Sequence, residues 1–296
     1  MVIANLEISV NKNFCRVAKL RHEWFDYVAE PAELIRQMRE ANVADVFTFV
    51  EESHVRRPEL PFRREPASIS VLTIKSFNDW WNDLHFKARN KARKAQKCGV
   101  EIREAGLTDD FVRGVEKIYN ECPLRQGRKF THYGETFDTI KNDLSSFLDR
   151  SIFVGAYFND ELIGFMKLFV GNEILRMIHI LATFADRDKC VMDALIARAV
   201  KLCAERKIHL LHYGDWASRG LGVFREKYNF QRHDCPRYFV PLNWRGQLLL
   251  NFGFHRPLRE RLPRPLVNQL AQIRNQWNAL RYGATMNKET KEAFGT

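Results

Sequence analysis

No stretch of the 296-residue chain approaches the roughly 20 consecutive apolar residues that a membrane-spanning helix needs. The opening residues, MVIANLEISV, have no basic segment followed by an apolar one, so no secretory leader is expected there. Cysteine is sparse: Cys15, Cys98, Cys122, Cys190, Cys203 and Cys235 are scattered, and no two form a C-x-x-C pair. That disfavours a zinc ribbon or a thioredoxin-type site. Scattered thiols without an export signal read as reduced, and the expected location is the cytoplasm. The nine histidines are also dispersed. His209 and His212 share an apolar run that reads as a strand, where residues three apart point to opposite faces, so no metal site is expected.

What is present is a globular composition with a basic excess. Hydrophobic residues make up 45% of the chain and charged residues 28%, which excludes disorder and fibrous repeats. Lysine and arginine number 47 against 36 acidic residues, a net charge of +11. Charge of this sign suits phosphate-bearing partners: a nucleotide cofactor, a tRNA or an anionic membrane surface. The length allows one large domain or two small ones.

Residues 1–98 are mixed. Short strands are expected at NLEISV, FCRVAKL, ADVFTFVEE and SISVLTI, and a helix at PAELIRQMREANV, started by Pro31. One helix is expected from Phe77 to about Lys97, with Gly99 just past its end. Its second half, 87–97, carries Lys87, Arg89, Lys91, Arg93, Lys94 and Lys97 and no acid. This is either a solvated face or a landing strip for phosphates.

Residues 99–241 have a regular order. A strand (VEIREA) precedes a helix capped by Thr108, a loop and a second helix (ETFDTIKNDLSSFLDR). Three strands follow, joined by turns at Asn159-Asp160 and Gly171-Asn172. Helix DKCVMDALIARAVKLCAER, strand KIHLLHYGD, helix SRGLGVFREKY and strand RHDCPRYFVPL complete the set.

Residues 242–296 form a basic helical extension. An arginine-rich stretch, RPLRERLPRP, precedes a helix whose Leu266, Leu270, Ile273, Trp277 and Leu280 fall on one stripe. That stripe suits docking on the body or on a second copy, or contact with a membrane surface.

The order β-α-α-β-β-β-α-β-α-β over 99–241 resembles one complete GNAT acyltransferase fold. The run Leu84 to Val100 (LHFKARNKARKAQKCGV) resembles the segment joining the two halves of Fem-type transferases, and Ile208 to Phe230 resembles their strand, Asp/Gly turn and final helix. The resemblance implies an α/β GNAT fold with a mixed, mostly antiparallel sheet flanked by helices, a partial N-terminal GNAT-like half (1–98) and a helical tail. It also implies an N-acyltransferase that moves an acyl or aminoacyl group from a thioester or tRNA ester to an amine. An acetyl-CoA-dependent enzyme with an atypical phosphate loop, or a non-catalytic binding protein of the same fold, are the alternatives. No cofactor is expected to be tightly bound; acyl-CoA or aminoacyl-tRNA would be the donor, with tRNA meeting helix 87–97.

Carried onto this chain, the resemblance places the donor's arm against the fourth strand, at Leu181 and Thr183, and its phosphates on the loop Arg187-Asp188-Lys189-Cys190. The superfamily's loop has two glycines where this sequence has Cys190 and Met192, and a Met side chain there obstructs a pyrophosphate. That departure favours a donor other than CoA. The general-acid Tyr of many GNAT enzymes is replaced by Arg225, which is either a guanidinium that stabilises charge, though no base, or a surface arginine on an amphipathic helix. The loop containing Arg125, Gln126, Arg128, His132 and Tyr133 suits a polar or anionic acceptor. His132 and His179 are candidate bases because imidazole titrates near neutral pH. Asp215, flanked by Tyr213 and Trp216, either handles the amine or caps the next helix.

Overall fold

The structure is a computed structural model that describes residues 1–12, 15–23, 28–51, 59–125, 128–171, 173–216, 221–256 and 263–282. In chain order the elements begin with β1 (Val2–Ile3), β2 (Leu6–Lys12), β3 (Arg16–Leu20), α1 (Pro31–Glu40), β4 (Val46–Val50) and β5 (Arg63–Thr73). Then come α2 (Phe77–Asp83), α3 (Phe86–Lys97), β6 (Glu101–Ala105), α4 (Asp109–Asn120), β7 (Leu124–Arg125), β8 (Arg128–Lys129) and α5 (Phe137–Leu144). β9 (Ser151–Phe158), β10 (Glu161–Val170), β11 (Ile174–Ala182), α6 (Val191–Glu205), β12 (Leu210–Asp215) and α7 (Leu221–Glu226) follow. β13 (Gln231–Pro241), α8 (Trp244–Asn251) and α9 (Arg264–Tyr282) end the series.

Two compact units result: Met1–Ile69 with His233–Asn268, and Ser70–Arg232 with Gln269–Thr296. The division therefore falls elsewhere than residues 98 and 241. Residues 70–98 join the second unit because Trp80, Leu84, Ala88 and Ala95 pack into its core. Residues 233–241 join the first because β13 pairs antiparallel with β4, from Arg237↔Val50 to Pro241↔Val46.

In the first unit the strand order is β1, β2, β3, β4, β13, β5. Alternate residues Phe47, Phe49 and Tyr238 stack at centroid distances of 5.3 and 5.4 Å, and α1 adds Leu34, Ile35 and Met38 to this core. α8 meets the backbone closely: a Cβ on Gly246 would lie 1.8 Å from the Asp45 carbonyl oxygen, so only glycine fits.

The second unit has the order β5, β12, β11, β10, β9, β6. Its central strands are buried on both faces, as near-continuous apolar sequences require. Val154 and Met166 face one core with α3 and α6, while their neighbours Phe153 and Phe165 face another with α4 and α5. Period-two alternation thus feeds two cores from one sheet. α4 starts where Thr108 accepts from the Phe111 amide at 3.3 Å, and it buries Phe111, Val112, Val115, Ile118 and Tyr119. The second helix of this pair is shorter than the sequence pattern suggests and ends at Leu144.

The single helix expected over Phe77–Lys97 is two. Leu84 is extended, buried in the core, and His85 caps α3 by accepting from the Lys87 amide at 3.3 Å. Burying Leu84 and starting a new helix outweighs continuity. Among the described residues no helix is long and apolar enough to cross a membrane.

Candidate active site

The site begins with strand register. β11 and β12 run parallel and pair only at Ile174↔Leu210, Leu175↔Leu211 and Arg176↔His212. Beyond that point β11 continues along β10 to Ala182, paired with Gly164, while β12 continues to Asp215. The two strands part, and a cleft of about 800 Å³ opens beside Ile178–Phe184. Its other walls are the start of α6 (Cys190–Asp193), Tyr213, Phe224 and Lys227, with Tyr119, Arg125, Phe130 and His132 opposite. Lys91, from the basic face of α3, also lines it.

A small residue lets the α6 start approach the sheet. A Cβ on Gly164 would stand 2.6 Å from Val191 Cγ1 and 3.2 Å from the Leu181 carbonyl oxygen. Cys190 precedes α6 with φ +60°, the left-handed geometry glycine usually supplies. Its thiol is pushed up by burial and by the Asp193 carboxylate, so it is no thiolate nucleophile.

The first turn of α6 is already electrostatically occupied. Asp193 sits there, buried, and its carboxylate accepts from Lys227 Nζ at 2.5 Å and from the Tyr228 hydroxyl. A carboxylate near a helix N-terminus satisfies the positive end of the dipole. A second carboxylate, Glu121, accepts from the amides of Phe184 (2.8 Å) and Ala185 (3.0 Å), just past β11. Donors that could hold a phosphate thus already hold carboxylates.

The acceptor-side wall carries a histidine–carboxylate pair. His132 Nδ1 lies 3.0 and 3.1 Å from the two Glu135 oxygens. Tyr119 stacks on the His132 ring at 4.7 Å, and His179 lies edge-on to it at 5.8 Å. Burial, then the charges of His132 and Lys167, push the His179 imidazole down to about 4, so it is neutral at neutral pH. The pairing fixes the His132 ring and leaves Nε2 for a proton in transit.

The other sequence-selected residues separate into two groups. Leu181, Thr183, Arg187, Cys190, Arg125, His132, His179 and Tyr213 line the cleft. Thr183 Oγ donates to Asp186 at 2.8 Å, and Lys189 pairs with the same carboxylate at 2.8 Å. Arg125 donates to the Ala182 and Ile118 carbonyls, both at 3.0 Å, so it buttresses the end of β11. Arg128, Tyr133 and Asp188 are exposed, and Trp216 is half-buried. Gln126 lies outside the described residues. Arg225 is buried and away from the cleft lining: it donates to Ser70 Oγ at 3.0 Å and to the Asp215 carbonyl, over the Tyr213 ring at 4.4 Å. The Asp215 side chain is exposed. Lys91 belongs to the basic stretch 87–97 expected to meet phosphates, whereas Glu135, Lys227 and Asp193 are site residues that no motif in the sequence marks. Glu135 had a usable signal, a carboxylate three residues after His132 in a loop.

No protein-family model and no curated protein matches the chain. Among solved structures it is similar to FemX, with 10% identity, TM-score 0.58, 83% of this chain and 86% of that chain covered. It is also similar to L-PGS from Bacillus licheniformis, at 14% identity and TM-score 0.54, covering 80% of this chain and 81% of that one. Likeness at this level shows the fold: the chain has a mixed α/β, GNAT-like fold with a large, mostly antiparallel sheet flanked by helices.

Proposed function

We propose that the cleft transfers an acyl or aminoacyl group from an activated ester or thioester to an amine. The carrying observation is the parted pair β11 and β12 with the His132–Glu135 pair on the cleft wall. The amine nitrogen bonds to the acyl carbon, and the carbon–oxygen or carbon–sulfur bond of the donor breaks. His132 Nε2 takes the amine proton and returns it to the leaving group, while Glu135 stabilises the imidazolium formed in between. Neutral His179 adds no competing charge. The basic face of α3, through Lys91, meets the donor's phosphates at the mouth.

The donor reading favours an aminoacyl-tRNA ester over CoA, because Cys190 and Met192 stand where a CoA loop has glycines, and the carboxylate of Asp193, in the first turn of α6, already holds Lys227 and Tyr228. Purified protein given aminoacyl-tRNA or acetyl-CoA with a panel of amines tests this by mass spectrometry of the products. Transfer from the tRNA ester is expected, with His132→Ala lowering kcat by about 10²- to 10⁴-fold. Glu135→Gln should lower it less. Equal turnover by His132→Ala would remove the assigned base. Turnover and thermal protection with acetyl-CoA alone would reverse the donor assignment.

A further inference from the structure

We propose that the C-terminal extension lays this chain on an anionic lipid bilayer, with α9 in the interfacial plane. The 19-residue helix exposes Leu266 (47%), Leu270, Ile273, Trp277 (64%) and Leu280 (81%). At about 100° per residue these five fall within roughly 80° of arc. Exposed large apolar side chains, ordered along one line, mark a contact surface and not chance. Tryptophan among them suits the boundary between headgroups and acyl chains.

Charge selects the occupant. Residues 264–282 contain Arg264, Arg274 and Arg281 and no carboxylate. Helical spacing puts Arg274 and Arg281 on one border of the apolar stripe, where long cationic side chains reach headgroup phosphates while their stems stay apolar. The opposite arc carries Gln272, Asn275 and Asn278. Over residues 242–282 there are seven arginines and one glutamate, Glu260. An antiparallel second copy would set arginines against arginines, a parallel one would set them against Gln269 and Gln276, and neither copy nor a neutral bilayer would pair their charge. Anionic lipid satisfies both the stripe and its border.

α8 carries the same pattern independently. Its Leu249 and Leu250 are buried, yet Trp244 (73%), Leu248 and the following Phe252 (69%) are exposed at four-residue spacing. Its charged residue is Arg245. α9 is too polar to span a bilayer, so the contact is peripheral.

The test uses the full chain with vesicles of phosphatidylglycerol or of phosphatidylcholine, separated by sedimentation at low salt. At least tenfold stronger partition to phosphatidylglycerol is expected. Ile273→Gln with Trp277→Gln should lower it at least tenfold with no loss of melting temperature, since both side chains are exposed. Arg274→Gln with Arg281→Gln should cost roughly fivefold per arginine, and added salt should act in the same direction. Equal partition to both lipids, or unchanged partition of the apolar double variant, would overturn the assignment. So would a wild-type dimer that this variant dissociates, with no vesicle binding by either.

Discussion

Acidification should destabilise this protein through His179, and the size of the effect follows from its setting. Half-buried beside His132 and Lys167, the imidazole is pushed down to about 4 in the native state, against an ordinary value near 6.5. The unfolded chain therefore takes up this proton first. Between pH 6.5 and 4 the unfolded state binds more protons, so stability falls as pH falls. Above pH 6.5 neither state is protonated there and the contribution is flat. A difference of about 2.5 pH units at ~1.4 kcal/mol each gives roughly 3.5 kcal/mol across the window. Urea unfolding at intervals from pH 4.5 to 7.5 measures it, comparing the wild type with His179→Gln. Surface carboxylates titrate alike in both proteins and cancel. The variant's stability should change less steeply by up to about 1.4 kcal/mol per pH unit. Parallel curves would show that His179 is not held neutral by its surroundings, and the picture of an uncharged cleft wall would go with it.

Three further outcomes follow from neighbouring geometry. Buried Lys167 donates to the Leu144 and Ser146 carbonyls at 2.8 and 2.7 Å, and burial pushes it down to about 8. The unfolded lysine binds its proton up to a higher pH, so stability should rise between pH 8 and about 10.5; Lys167→Met should flatten that rise in the same unfolding assay. Arg225→Ala removes the bonds to Ser70 and the Asp215 carbonyl and should cost roughly 3 kcal/mol in denaturant titration. If it lowers turnover with no loss of stability, Arg225 acts in the reaction and not through the scaffold. Gly164→Ala should cost about 1–3 kcal/mol, because its methyl meets Val191 and the Leu181 carbonyl; an unchanged melting curve would mean that α6 moves aside easily.

The sequence by itself determined the order of elements from 99 to 241, apart from the short pair β7 and β8 where the sequence reads as a loop, because each of the others has its own local signature. Thr108 caps, Asn159-Asp160 turns, and the apolar spacing switches between two and about 3.6. The resemblance to the GNAT fold implied that Leu181, Thr183, Arg187, Cys190, His132 and His179 lie in one region, and all six line one cleft. Only tertiary structure decided which of these side chains share a wall. Arg225 and Lys227 are two apart on the chain, yet Lys227 lines the cleft while Arg225 turns into Ser70 and the Asp215 carbonyl. Glu135 stands three residues after His132 in the sequence, but only the folded loop brings its carboxylate to 3.0 Å from Nδ1. The break at Leu84 and the exchange of residues 70–98 and 233–241 between units also came from packing. Those choices depend on which buried surface is larger, and that quantity exists only once distant segments have met.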